Sequence, residues 1–365
     1  MKNAFGNALT VTLFGESHGE EIGAVADGFA PGIPIDEAYI ASRLAQRRPT
    51  DMLSTARREA DEYRIVSGVK DGYTTGAPLT VLIPNTDVHS GDYAATDGIA
   101  RPSHADYTAY CKYHGYEDRR GGGHFSGRLT APLVVLGAIA ATALMARGVT
   151  IGTHIARLAG ISDRAFGDDL QEDIDFLADC PFPVLDTAAG GAKRDAIHTA
   201  RAEGDSVGGV LETAVTGLVA GVGEPWFDGV ESVLARAIFG IPAVKGIEFG
   251  GGFAMCDRRG SEVNDAFFMG ADAPETRTNF SGGIQGGITN GMPLCFRVGI
   301  KPTPTIAKEQ DTVNFLTERE TRTAFVGRHD PAIVHRARAV VDAVTALVLC
   351  DLLAGRYGTD YLAEG

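Results

Sequence analysis

LTAPLVVLGAIAATALMA, residues 129–146, carries no charged side chain and is closed at its ends by Arg128 and Arg147. It is nearly long enough to cross a membrane. Its Ala, Thr, Gly and Pro content and the arginines close to both ends read instead as a helix apolar on all sides, buried in a protein core. A helix of that kind needs protein on every face. It therefore lies in the core, and the rest of the fold is arranged around it.

Working outward, strand-like runs fall at Leu9–Phe14, Tyr63–Ser67, Leu79–Ile83, Val207–Val215 and Leu294–Ile300. Helical periodicity covers Asp36–Arg47, Leu129–Arg147, Glu231–Phe239 and Ala332–Leu353. Strand and helix do not alternate regularly, which argues against a doubly wound parallel sheet and for an α+β fold. No linker-like tract divides the chain, so residues 1–365 are read as one domain. Gly15-Glu16-Ser17-His18-Gly19 and Gly204-Asp205-Ser206-Val207-Gly208 echo each other beside strand-like runs, as an internal duplication would.

The formal charge of −14 does not suit a nucleic-acid partner. Five scattered cysteines without a CxxC pair fit free thiols in a reducing cytoplasm. No G-x-G-x-x-G, P-loop, HExxH or paired-cysteine metal motif occurs, so no metal site is expected.

Against that acidic background, Arg47-Arg48, Arg57-Arg58, Arg101, Arg119-Arg120 and Arg128 crowd the first third of the chain. The planar arginine fork matches carboxylate and phosphate, so the set suits a multiply anionic small ligand, whereas any one of them alone suits a surface ion pair. Arg120-Gly121-Gly122-Gly123-His124-Phe125-Ser126-Gly127-Arg128 leads into the apolar helix, whose free N–H groups and dipole form an anion site. His104, in RPSHADY (101–107), has a titration range suited to proton exchange. The glycines of 280–291, followed by Lys301-Pro302-Thr303-Pro304-Thr305, suit a flat ligand with a phosphate tail. In Gly327-Arg328-His329-Asp330-Pro331, Asp330 reads as a helix cap and Pro331 as a first-turn residue. Gly15–Gly19 also fits the G-x-S-x-G pattern of serine hydrolases, but too few residues precede it to build that elbow.

In order along the chain, GESHG (15–19), RRP (47–49), RREAD (57–61), NTD (85–87), RPSHADYT (101–108), RGGG (120–123), EGDSVGG (203–209), IPAVKGIEFG (241–250), GGIQGGITNG (282–291), KPTPTI (301–306) and GRHDP (327–331) resemble the chorismate synthase family over almost the full length. The resemblance implies a β-α-β sandwich with helices between antiparallel sheets, assembled as a homotetramer in the cytoplasm. It implies a 1,4-elimination of phosphate from 5-enolpyruvylshikimate 3-phosphate that needs reduced FMN without net redox change. Arg47, Arg101, Arg128 and Arg328, with Arg48 beside them, would contact substrate. His18 would be the acid for departing phosphate, and His104 the proton partner of the reduced flavin. Ser17, Ser126 and Asp330 would relay protons. His124, Phe125, Ser126, Ala243, Gly286, Lys301, Pro302, Thr303, Pro304, Thr305 and Arg328 would hold FMN.

Two departures stand out. The family's RSSARET after the triple glycine is HFSGRLT here (124–130), and residues 50–53 lack an arginine that some members use for NADPH. NADPH is therefore expected to act only through an external flavin reductase. The competing reading is a flavin- or phosphate-binding protein without chemistry; the retained His18, His104, Ser126 and Asp330 argue against it.

Overall fold

The computed structural model describes residues 2–49, 53–54, 61–86, 98–325 and 330–363. Two five-stranded antiparallel sheets enclose a layer of helices. In the first sheet the spatial order is Ala4–Phe5, Thr10–Gly15, Glu21–Asp27, Leu79–Pro84, Arg64–Ser67. In the second it is Ile161–Ser162, Thr150–Leu158, Gly209–Thr216, Leu294–Ile300, Val244–Phe249.

With the short edge strands set aside, the two orders are the same. In each half a long strand pairs with the next long strand, which pairs with the last, which pairs with the one before it. The helices follow suit: α1 (Glu37–Arg47) and helix Val230–Ile238 each link the second and third of these strands, and α3 (Thr130–Ala146) and the C-terminal helix Val334–Tyr357 each follow the fourth. GESHG lies between the first two long strands of its half, and GDSVG occupies the equivalent connection of the other. The sequence echo thus has a topological counterpart.

α3 is the helix of residues 129–146, and 13 of its 17 residues are buried. It packs on strands of both sheets and on the C-terminal helix. At their contact a Cβ on Gly137 would lie 2.3 Å from the Cβ of Ala343, so only glycine allows this helix spacing. Each buried Leu, Val or Ile here contributes about 1.5–3 kcal/mol of transfer free energy. A membrane-length apolar helix is thus consumed by the core.

The strand Leu294–Ile300 has the expected limits, and the other expected strands and helices shift by only a few residues at their ends. Asp36 is the N-cap of α1, accepting from the Tyr39 N–H at 2.9 Å. The expected cap at Asp330 is not formed. The C-terminal helix begins at Val334 behind Ile333, and the Asp330 carboxylate pairs with Arg336 at 2.6 Å. An ion pair with a fully charged donor outweighs one capping bond.

Away from these helices, the second sheet holds a buried charge cluster. His154 is fully buried, with Nδ1 3.0 Å from Asp163 and Nε2 3.0 Å from Glu212. Burial alone would lower its pKa, but the hydrogen bonds to the two carboxylates raise it above the ordinary histidine value. A raised folded-state pKa gives stability that is complete below about pH 6.5 and lost as pH rises through the folded value. The unfolding midpoint should therefore fall between pH 6 and pH 9 more in the wild type than in His154→Gln, by about 2 °C for each kcal/mol lost. Parallel melting curves for the two proteins across that range would contradict it.

Candidate functional site

One cleft of about 1490 Å³ opens between the first sheet, the helix layer and the loop preceding Val244. Its polar wall is built from four pieces of chain, each delivered by a local rule.

α1 ends at the cleft, so Arg47 in its last turn and Arg48 at its C-cap project there, with the basic charge favoured by the helix dipole. The 3-10 turn Gly127–Leu129 supplies Arg128, which is only 6% exposed. Ser126 caps that turn by accepting from the Arg128 N–H at 3.3 Å. The three guanidinium groups converge on buried Asp61. Arg128 Nη1 bonds its Oδ1, while Arg47 Nη2 and Arg48 Nε stand 3.3 and 3.7 Å from Oδ2. Arg128 also donates to Asn85 Oδ1 and to the Pro84 carbonyl, both at 3.2 Å. Three cations on one carboxylate leave a local excess of positive charge facing the cleft.

The triple glycine positions both histidines. Gly121, Gly122 and Gly123 have φ of 61°, 104° and 52°, a left-handed path that side chains resist. A Cβ on Gly121 would lie 2.0 Å from His18 Cε1, and one on Gly122 would touch His104 Nε2 at 3.5 Å. The Gly123 carbonyl accepts from the Ser17 N–H at 3.1 Å. Ser17 Oγ meets His18 Nδ1 at 3.2 Å, and His18 lines the cleft. The His124 ring is tied through Nδ1 to the Gly15 carbonyl at 2.8 Å.

His104 Nδ1 lies 3.0 Å from Asp106 Oδ1. Asp106 also takes both arms of Arg101, Nε at 2.8 Å and Nη2 at 2.6 Å. Burial alone would raise the Asp106 pKa, but the hydrogen bonds from Arg101 and His104 hold it well below the usual carboxylate range.

The fourth piece is the loop after Leu294–Ile300. Lys301 Nζ donates to the carbonyl and, at 2.7 Å, to the hydroxyl of Ser103. Its pKa is lowered by burial and by neighbouring Lys245. Thr303 is held by Ser206 of GDSVG, whose hydroxyl donates to the Thr303 carbonyl at 2.7 Å. Thr303 Oγ1 itself is buried without a hydrogen-bond partner among the described residues.

His18, Arg47, Arg48, Arg101, His104, His124, Phe125, Ser126, Arg128, Ala243, Lys301, Thr303, Pro304, Thr305 and Asp330 all line the cleft. Ser17 lies directly behind His18, 1% exposed. Pro302 faces a separate shallow pocket beside Arg157, and Gly286 sits on the turn between Ile284–Gln285 and Ile288–Thr289. Neither lines the cleft of a single chain. Arg328 lies outside the described residues, as do Arg57 and Arg58. Asp61 and Arg336 were not singled out from sequence, and Asp106 was noted only as the acid two residues after His104. Asp61 ends the RREAD block, which was its only signal.

Ser17 stands on a turn between two antiparallel strands, not on a strand-to-helix elbow. The serine-hydrolase reading of GESHG therefore lacks its backbone geometry.

Fold and site together define an antiparallel α+β protein with a histidine- and arginine-lined cleft. The family model for chorismate synthase matches residues 9–354. Chorismate synthase of Aeropyrum pernix is 44% identical over 352 residues, covering 96% of this chain and 93% of that protein. That of Pyrococcus abyssi is 44% identical over 351 residues, covering 96% and 97%. A crystal structure of chorismate synthase superposes with a TM-score of 0.77 at 27% identity, covering 97% of this chain and 94% of its own. The chain belongs to the chorismate synthase family.

Proposed function

We propose that this chain converts 5-enolpyruvylshikimate 3-phosphate to chorismate by anti-1,4-elimination, within the shikimate route to aromatic amino acids. As a carbon–oxygen lyase it breaks the C3–O bond to release phosphate and takes a hydrogen from C6, with no net redox change. The observation that carries the reading is one glycine loop pressed against two histidines and running directly into Arg128.

The substrate carries two carboxylates and a phosphate. Arg47, Arg48 and Arg128 offer the cationic surface for them, and Arg101 adds its remaining donor. His18, with Nδ1 against Ser17 Oγ, is the acid for the departing phosphate oxygen. Ser17, Ser126 and Asp330 relay the C6 proton.

Reduced FMN, when bound, supplies electron density to the reacting carbons. The cleft fits such a group. The orphan hydroxyl of Thr303, Lys301 and the chain of residues 303–305 suit its phosphate and polar tail. Leu129, Leu133, Val340 and Val344 provide apolar wall for a flat ring. His124, Phe125, Ser126 and Ala243 complete the holder, with His104 as proton partner. Gly286, Pro302 and Arg328 stay in the proposed FMN set, with Arg328 also a substrate contact, on family resemblance alone.

We propose a homotetramer in the cytoplasm, supplied with reduced flavin by an external reductase. Exposed Trp226 and Phe227, 83% and 89% accessible, suit burial in an assembly, and the five free cysteines suit a reducing compartment.

An anaerobic titration with FMN in the presence and absence of substrate tests the shared cleft. Each ligand should tighten the other, and linkage makes the two factors equal. Independent binding would contradict the reading.

A further inference from the structure

Asp106 is a carboxylate placed where two functional groups of the cleft meet. Its Oδ1 accepts from His104 Nδ1 at 3.0 Å and from Arg101 Nη2 at 2.6 Å. Its Oδ2 accepts from Arg101 Nε at 2.8 Å and from the Arg101 backbone N–H at 2.9 Å. It opens α2 (Asp106–Tyr113), where negative charge at the first turn is favoured. Its side chain is 11% exposed and is absent from every role assigned so far.

We infer that Asp106 is the positioning residue of this site, fixing His104 in the tautomer that carries its proton on Nδ1 and locking the Arg101 fork beside it. An ionised carboxylate only accepts, so the ring nitrogen facing it must bear hydrogen. The other nitrogen, Nε2, then stands against Gly122 on the cleft wall as the free proton acceptor. Arg101 spends Nε and one terminal nitrogen on Asp106, which leaves the second terminal nitrogen for an anion. Both constraints pass through one carboxylate, so the histidine and the arginine keep a fixed spacing as ligands enter. Ionisation of Asp106 agrees with this, since its partners hold its pKa well below the usual range.

This inference rests on the proposed elimination for its kinetic arm and stands apart from it in its spectroscopic arm. The test compares wild type, Asp106→Asn and Asp106→Glu with ¹⁵N-labelled histidine and with turnover under reduced FMN. An amide of the same size keeps one acceptor oxygen, which suits the Arg101 Nε and backbone N–H that can only donate, and turns its NH₂ toward His104, the one partner able to present a lone pair. In Asp106→Asn the His104 ring should lose its Nδ1–H preference in the ¹⁵N spectrum. Turnover should fall about 100-fold, within the range of proton-transfer catalysis. KM should rise severalfold as Arg101 loosens. Asp106→Glu should recover part of both signals.

A folded Asp106→Asn protein with the wild-type ¹⁵N signature overturns the inference even if activity is lost, because the loss would then be merely structural. Turnover and KM within twofold of wild type overturn it equally. If the wild type itself is inactive, the proposed elimination fails, and the tautomer comparison still decides the role of Asp106.

Discussion

His18→Ala should lower turnover by about 10²–10⁴-fold, the range of a positioned proton donor, while FMN affinity stays close to that of the wild type. The geometry explains the separation. His18 is 5% exposed and held between Ser17 Oγ and the Gly121 backbone, on the side of the cleft opened by GESHG. Most residues proposed to hold flavin lie elsewhere, at 303–305 and on the apolar helix faces, and only His124, Phe125 and Ser126 share the glycine loop with Gly121. Removing the imidazole therefore deletes a proton at one atom without dismantling the holder. Gly121→Ala should give a loss in the same direction, because its Cβ would fall 2.0 Å from His18 Cε1 and displace the ring. Steady-state rates with reduced FMN, together with a flavin titration, check both. Unchanged turnover in His18→Ala would remove His18 from the acid role.

Arg128→Ala should raise KM, by about 30-fold to about 4,000-fold if substrate loses the 2–5 kcal/mol typical of a truncated buried charge pair. Arg128 is the most buried of the three cations around Asp61. Its position is fixed by Asp61, Asn85 and the Pro84 carbonyl, so a substrate anion meets a donor already in place. The fold should survive the change. Breaking a buried pair commonly costs about 3–5 kcal/mol. Here Asp61 keeps Arg47 at 3.3 Å and Arg48 at 3.7 Å, so the stability loss should be smaller. A KM that stays at the wild-type value in folded Arg128→Ala would place Arg128 outside the substrate site.

The apolar stretch 129–146 was legible because its all-round hydrophobicity points to a helix buried in the core. Leu294–Ile300 was legible because its inward and outward residues alternate cleanly. Glu21–Asp27 passed unread: its Gly and Ala residues carry little strand signal, and pairing on both sides makes the strand. Thr150–Leu158 holds His154 and Arg157, and its polar His154 is satisfied only by Asp163 and Glu212 from other segments. Helix Thr187–Ala202 contains Gly190-Gly191, which lowers local helix propensity.

The site divides in the same way. His18, His104 and the arginines were visible as reactive types beside glycine turns. The carboxylate Asp61 was not, because it gains its role from Arg47, Arg48 and Arg128, delivered by other segments. Asp106 lies only two residues beyond His104, yet its role depends on the turn that folds Arg101 back onto it. Arg336 looked like one more helix residue until Asp330 was found beside it.

The most direct test of the central claim is phosphate release from 5-enolpyruvylshikimate 3-phosphate under anaerobic conditions, with chemically reduced FMN in one sample and oxidised FMN in the other. Stoichiometric phosphate and chorismate in the reduced sample alone is the predicted result. Folded protein that binds FMN and releases no phosphate in either sample would contradict it, and would leave a flavin-binding protein on this scaffold.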